Sequence, residues 1–190
     1  MTPNPRFQTT LATPTRDAVV VELHASMAEM IDLALQGKQL HWNIVGPRFQ
    51  SIHEFLDELV DTYRGWSDDL AERCTALGVA PDGTAGYISD HSGLPQCPSG
   101  FQPDMVVAEA MAERVLLAAK HVRERAERLA DLDPASEDLL LEILAGLEEQ
   151  AWMLQAQSMT GTAESAADAK REPKSANGSA AKPRIGAAAS

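Results

Sequence analysis

Aromatic residues make up only 5% of this 190-residue chain, which leaves little for the cross-strand aromatic pairing of a β-sandwich, while plentiful Ala, Leu and Glu favour helices. Cysteine is scarcer still. Cys74 and Cys97 are the only two, and they lack the close spacing of zinc or redox motifs, so free thiols in a reducing cytoplasm are expected. No stretch approaches 18 consecutive apolar residues, so no membrane-spanning helix is expected. The N-terminal segment MTPNPRFQTTLATPTRD lacks the apolar core of a signal peptide. Positive charge is also short: 16 Lys and Arg against 28 Asp and Glu give a net charge of −12. A general affinity of the body for nucleic acid is therefore not expected.

The positive charge that exists is uneven. Residues 161–190 hold Lys170, Arg171, Lys174, Lys182 and Arg184 against Glu164, Asp168 and Glu172, leaving the body with −14. This tail, rich in Ala, Ser, Lys and Pro, has no apolar periodicity and is expected to be disordered. Residues 1–16, with three prolines, read as a flexible arm. Between them lies one domain, 17–161.

Apolar periodicity divides that domain into four long helices. The first, capped by Thr15 or Asp17 and running to about 44, carries Val20, Leu23, Met27, Met30 and Ala34 on one stripe. The second, about 48–77, carries Ile52, Leu56, Leu59, Tyr63, Trp66 and Leu70 and stops at Gly78. A third follows Pro103 to about Leu132. The fourth has Asp133 as cap and Pro134 in its first turn, and runs through Leu140, Leu144, Leu147, Ala151 and Leu154. The 79–103 connection is too long for a hairpin. Extended, it reaches roughly 80 Å, enough to cross a bundle about 40 Å long. The expected fold is all-α: a ferritin-like four-helix bundle with a long crossover between helices two and three.

The chemistry gathers around the second helix. His53 and Asp57 are four residues apart, as are Asp68 and Glu72, so each pair shares a helical face. Asp68 lies eleven residues beyond Asp57, roughly 16 Å along the axis. Metal–ligand bonds are about 2 Å long, so no single metal spans that gap. If the pairs act together, the second must come from another copy running antiparallel across a two-fold axis. With Ile52 at zero, the four residues fall at roughly 100°, 140°, 160° and 200°, away from the subunit's own core. The inward Glu-x-x-His motifs of an intramolecular di-iron bundle are absent. Charged residues on an outer face are ordinarily just solvated, and a single His is ordinarily a surface or packing residue. Two face-sharing pairs plus His41 near the end of the preceding helix shift that balance, because mixed imidazole and carboxylate donors suit iron, manganese or zinc.

The segment from Lys38 through His41-Trp42-Asn43, Gly46, Phe49, His53 and Phe55 to Asp57, followed by Asp68-Asp-Leu-Ala-Glu72-Arg73 and Leu77-Gly78, resembles the Dps family, the miniature ferritins known as DNA-binding proteins from starved cells. The match is strongest over about 38–78. The resemblance implies a dodecameric shell with ferroxidase centres at its two-fold interfaces, His41, His53 and Asp57 coming from one subunit and Asp68 and Glu72 from its partner. It further implies oxidation of Fe(II), preferentially by hydrogen peroxide, and storage of the ferric mineral. Iron is thus the implied metal, and its removal together with peroxide protects DNA from hydroxyl radicals. Trp42 beside the site would intercept stray oxidising equivalents or pack at the interface. Lys38 would pair with a site carboxylate or stand exposed. Asp131, Asp133, Glu137 and Asp138 are candidates for an iron-entry pore, although capping explains Asp133 equally well. In the family, DNA binding usually depends on basic extensions, which makes the five basic tail residues candidate DNA contacts and a nucleoid-binding shell the alternative function.

Overall fold

In the computed structural model, residues 7–159 are described. They form five helices and one short parallel bridge: α1 (Thr13–Asn43), β1 (Ile44–Val45), α2 (Phe49–Ala76), α3 (Ala85–His91), β2 (Gln102–Pro103), α4 (Asp104–Leu129) and α5 (Pro134–Ser158). The four long helices match the expected ones to within a few residues. Helix α1 begins four residues early, inside the expected arm. Pro14 lies in its first turn, where its missing N–H costs nothing and its fixed φ favours the helix. Neither Thr15 nor Asp17 caps it; Ala12 precedes it without a side-chain cap.

Helices α1 and α2 form one hairpin and α4 and α5 another, with α1 packed on α4 and α2 on α5. The predicted stripes meet in the middle. Leu23, Met27, Met30, Ile52, Leu56, Tyr63, Leu140, Leu147 and Leu154 are all fully or almost fully buried. Trp66 is only half-buried, packed against the core. Helix α2 ends in a Schellman motif: Val79 N–H donates to Cys74 O (3.0 Å) and Gly78 N–H to Thr75 O (2.9 Å). Gly78 supplies the positive φ of 80° that this motif requires.

The crossover is not a bare strap. It contains α3, which docks on α1, and it ends in β2, which pairs with β1 (Ile44 with Gln102, Val45 with Pro103). Gly46 closes this corner with φ 137°. A Cβ there would sit 2.6 Å from Asp104 Oδ2, the oxygen that accepts the Arg48 N–H at 2.7 Å. The α1–α2 turn is thereby fastened to the start of α4. Among the described residues no helix is long and apolar enough to cross a membrane.

Candidate metal centre

The α1–α2 hairpin sets His41 beside His53. The rings stack with centroids 3.6 Å apart and planes 19° apart. Each imidazole also grips the other residue's backbone: His41 Nδ1 lies 2.9 Å from His53 O, and His53 Nδ1 lies 3.1 Å from His41 O. A carbonyl only accepts, so both Nδ1 atoms carry the proton. Each ring's Nε2 takes no part in that clamp and is the nitrogen placed to bind a metal. Phe49, one turn before His53, stacks on it at 4.8 Å. Asn43 closes α1 by donating from Nδ2 to Gln39 O at 2.7 Å.

Asp57 joins the pair. Its Oδ1 lies 3.3 Å from His41 Nδ1 and also receives Lys38 Nζ. That hydrogen bond from Lys38, reinforced by the neighbouring imidazoles against a smaller opposing effect of desolvation, holds the Asp57 carboxyl below its ordinary range. Lys38 is thus a carboxylate partner, as its position suggested. His41 is buried, His53 and Asp57 are half-buried, and Asp68 and Glu72 are exposed. Helix α2 runs unbroken from Phe49 to Ala76, so the two acids stay about three to five turns away from His53 and Asp57. Among the described residues no cluster of three or more metal-binding side chains meets within one subunit. Within one chain His41, His53 and Asp57 come together, while Asp68 and Glu72 stand apart from them on the same helix.

Arg73, adjacent to Glu72, stands in the family motif, but its role was not legible in the sequence. It donates from Nε to Ser136 Oγ (2.9 Å) and from Nη2 to Asp133 Oδ2 (2.6 Å), joining the end of α2 to the start of α5. Ser136 Oγ also reaches Asp133 Oδ2 (2.5 Å). Asp133 therefore occupies the capping position without a side-chain cap, and its carboxylate faces inward. Burial pushes that carboxyl up, but Ser136 and Arg73 more than offset this and hold it below its usual value. Of the other pore candidates, Asp131 and Asp138 are exposed and Glu137 is half-buried. Trp42 stands 67% exposed beside His41. Lys170, Arg171, Lys174, Lys182 and Arg184 lie outside the described residues.

Residues 21–160 match the family described as Ferritin-like domain. A DNA protection during starvation protein from Mycolicibacterium smegmatis is 34% identical over 142 residues, covering 70% of this chain and 73% of the relative. The fine tangled pili major subunit of Haemophilus ducreyi is 35% identical over 150 residues, 77% of each chain. Among solved structures, Mycobacterium smegmatis Dps superposes with a TM-score of 0.79 at 30% identity, covering 85% of this chain and 96% of that one. Dps92 from Deinococcus radiodurans gives 0.74 at 30% identity, covering 76% and 87%. On the strength of the ferritin-like domain match and these relatives, the chain belongs to the Dps family of ferritin-like proteins.

Proposed function

We propose that the protein is a ferroxidase and iron store whose reaction centres form only between subunits, at the two-fold interfaces of a dodecameric shell. The observation that carries this is the reciprocal Nδ1–carbonyl clamp of His41 and His53. It holds two imidazoles beside Asp57, whose carboxyl lies below its ordinary range, and Asp68 and Glu72 of the same chain lie turns away along α2. Asp68 and Glu72, exposed on the outer face of α2, complete the donor set from the partner.

Fe(II) is the substrate. Three carboxylates offset its charge and two neutral imidazoles bind it, while open positions admit peroxide. Each Fe(II) gives up one electron. Hydrogen peroxide accepts a pair, its O–O bond breaks, and its oxygens pass into ferric oxyhydroxide with release of protons. Consuming both reagents removes the source of hydroxyl radicals, which is how such a shell protects DNA. The strongly negative body concentrates Fe(II) by its field. Asp131, Glu137 and Asp138 are the acids at the α4–α5 corner free to line an entry pore, since Asp133 is committed to Arg73.

Replacing His41 and His53 together with Ala should abolish rapid peroxide-dependent Fe(II) oxidation while particle mass stays unchanged. Undiminished oxidation overturns the proposal. Direct DNA binding by the basic tail is a separable activity, tested by comparing gel shifts of the full chain and of a chain ending at 161. Twelve weak tails act together, so loss of retardation on truncation is the expected result, and equal retardation removes the tail from the account.

A further inference from the structure

A second pair of histidines lies outside the candidate centre. His91, in the last turn of α3, and His121, in the second half of α4, line one cleft of about 160 Å³ together with Glu124. The proposed reaction uses none of the three. His121 and Glu124 are three residues apart on α4, so they share a helical face.

Both imidazoles are held by Nδ1. His121 Nδ1 lies 2.7 Å from Glu29 Oε1, and His91 Nδ1 lies 2.9 Å from Tyr87 O. A carboxylate and a carbonyl accept, so each Nδ1 donates and each Nε2 is the nitrogen placed to bind a metal. An acceptor behind Nδ1 is the device that fixes tautomer and ring orientation in metal-binding histidines. The supports are themselves fixed. Glu29 is fully buried and clamped by Arg125, and the Tyr87 ring stacks on His91 with centroids 3.8 Å and planes 8° apart. The crossover closes over the Glu29–His121 contact at Gly93, where a Cβ would come within 2.9 Å of Glu29 Oε1 and 3.2 Å of His121 Cε1.

The arginines at the cleft are already matched, Arg125 by Glu29 and Arg128 by Glu22. Glu124 is exposed and meets Lys120 Nζ only at 3.9 Å, so its carboxylate is free to turn. Three donors do not converge on one point in the subunit as it stands. The two imidazoles are therefore the fixed part of the site, and Glu124 is the part that swings in. Two imidazoles and a carboxylate, with water in the fourth position, are a donor set suited to Zn(II).

We propose that His91 and His121 hold a zinc ion, completed by Glu124, which staples the crossover to α4. Helix α3 docks on α1, and the zinc adds a direct tie to the other hairpin. The site shares no residue with the iron centre and does not depend on it.

The chain has five histidines, which makes imidazole ligands countable. Full-length protein carrying His41→Ala and His53→Ala retains, besides His91 and His121, only His24, whose Nε2 accepts the Asp82 N–H. Stripped with a chelator and equilibrated with Zn(II), this protein should hold one zinc per subunit, with two imidazoles in its zinc K-edge absorption spectrum. Adding His91→Gln should remove one imidazole from the spectrum and weaken zinc binding by at least about 10–100-fold, the loss that follows removal of an outer partner alone. His91 is exposed, so far-UV circular dichroism should not change. Zinc should also slow amide exchange in α3, and His91→Gln should abolish that slowing. Undiminished zinc affinity with two imidazoles after His91→Gln overturns the proposal. So does zinc ligated by oxygen alone, or no retained zinc. None of these outcomes bears on iron oxidation, which is read separately on the parent protein.

Discussion

Arg125 reaches from α4 into α1 and holds Glu29 with both terminal nitrogens, Nη1 to Oε2 at 2.6 Å and Nη2 to Oε1 at 3.0 Å. His121 Nδ1 adds a third contact to Glu29 Oε1 at 2.7 Å. Glu29 is fully buried and Arg125 nearly so. A buried ion pair of this kind contributes little against a well-packed apolar pair, yet losing one partner strands the other charge. Glu29→Ala should therefore lower unfolding free energy by about 3–5 kcal/mol, whereas Glu29→Met with Arg125→Leu should recover most of it. Urea unfolding of the three proteins decides; equal losses in single and double variants contradict the argument.

A second buried polar group makes the crossover sensitive to acid. Asp82 N–H donates to His24 Nε2 at 2.8 Å, and His24 Nδ1 lies 3.1 Å from Tyr87 Oη. An imidazole that accepts at Nε2 is neutral, and burial lowers its pKa, with Asp82 only partly opposing. The folded value thus lies below the unfolded one, about 6.5. The unfolded chain binds the extra proton, so stability is complete above about pH 6.5 and declines as pH falls from there towards the folded value. Amides around Asp82 and in α3 should show an excess of opening at pH 5 over pH 7 once rates are corrected for the slower intrinsic exchange in acid. In His24→Gln that excess should vanish; persistence of the full excess removes His24 as its source.

Asp133 works in a lower window. Its folded pKa is depressed by Ser136 and Arg73 despite burial, so its contribution is present above the ordinary carboxylate value, about 3.9, and is lost as pH falls through the folded value. Asp133→Asn should be less stable than the parent at pH 6, and the gap should close at the acid end. Thermal melts across that range test this, and a gap independent of pH argues for a steric origin instead.

The elements that were legible in the sequence are those whose own side chains state their purpose. Ile52, Leu56, Leu59, Tyr63 and Leu70 repeat at helical spacing, and Gly78 marks where the repeat must stop. Helix α3 offered no such signal: it is seven residues long, lies among Pro and Gly, and buries only Ile88. Its position depends on His24, more than sixty residues earlier, meeting Tyr87. The Glu29–Arg125 pair was hidden for the same reason, since a buried charge is recognisable only once its partner is known. Asp133 read as a helix cap from its place before Pro134, but Arg73, which takes its carboxylate, comes from the other hairpin. At the candidate centre, His41, His53 and Asp57 were readable because helix spacing and one tight turn suffice to join them. Phe49 stands in the family motif with the same four-residue spacing to His53, but spacing alone does not tell a ring stacked on a histidine from one in a core.

Gly46 couples the fold to that centre. The backbone there sits at φ 137°, a conformation that costs any other residue on the order of 1–3 kcal/mol. An added Cβ would also press to 2.6 Å from Asp104 Oδ2 and displace the carboxylate that holds the Arg48 N–H. Gly46→Ala should therefore cost at least about 2 kcal/mol in urea unfolding. Its second effect is specific. The turn at Gly46 joins the helices that carry His41 and His53, and their mutual Nδ1–carbonyl contacts depend on how those helices meet. Peroxide-driven Fe(II) oxidation should fall several-fold in Gly46→Ala under conditions where circular dichroism still reports full helix. Asp104→Ala, which removes the clash but also the anchor, should share the loss of stability when combined with Gly46→Ala without deepening it. Additive losses in the double variant show that the glycine and the aspartate act independently.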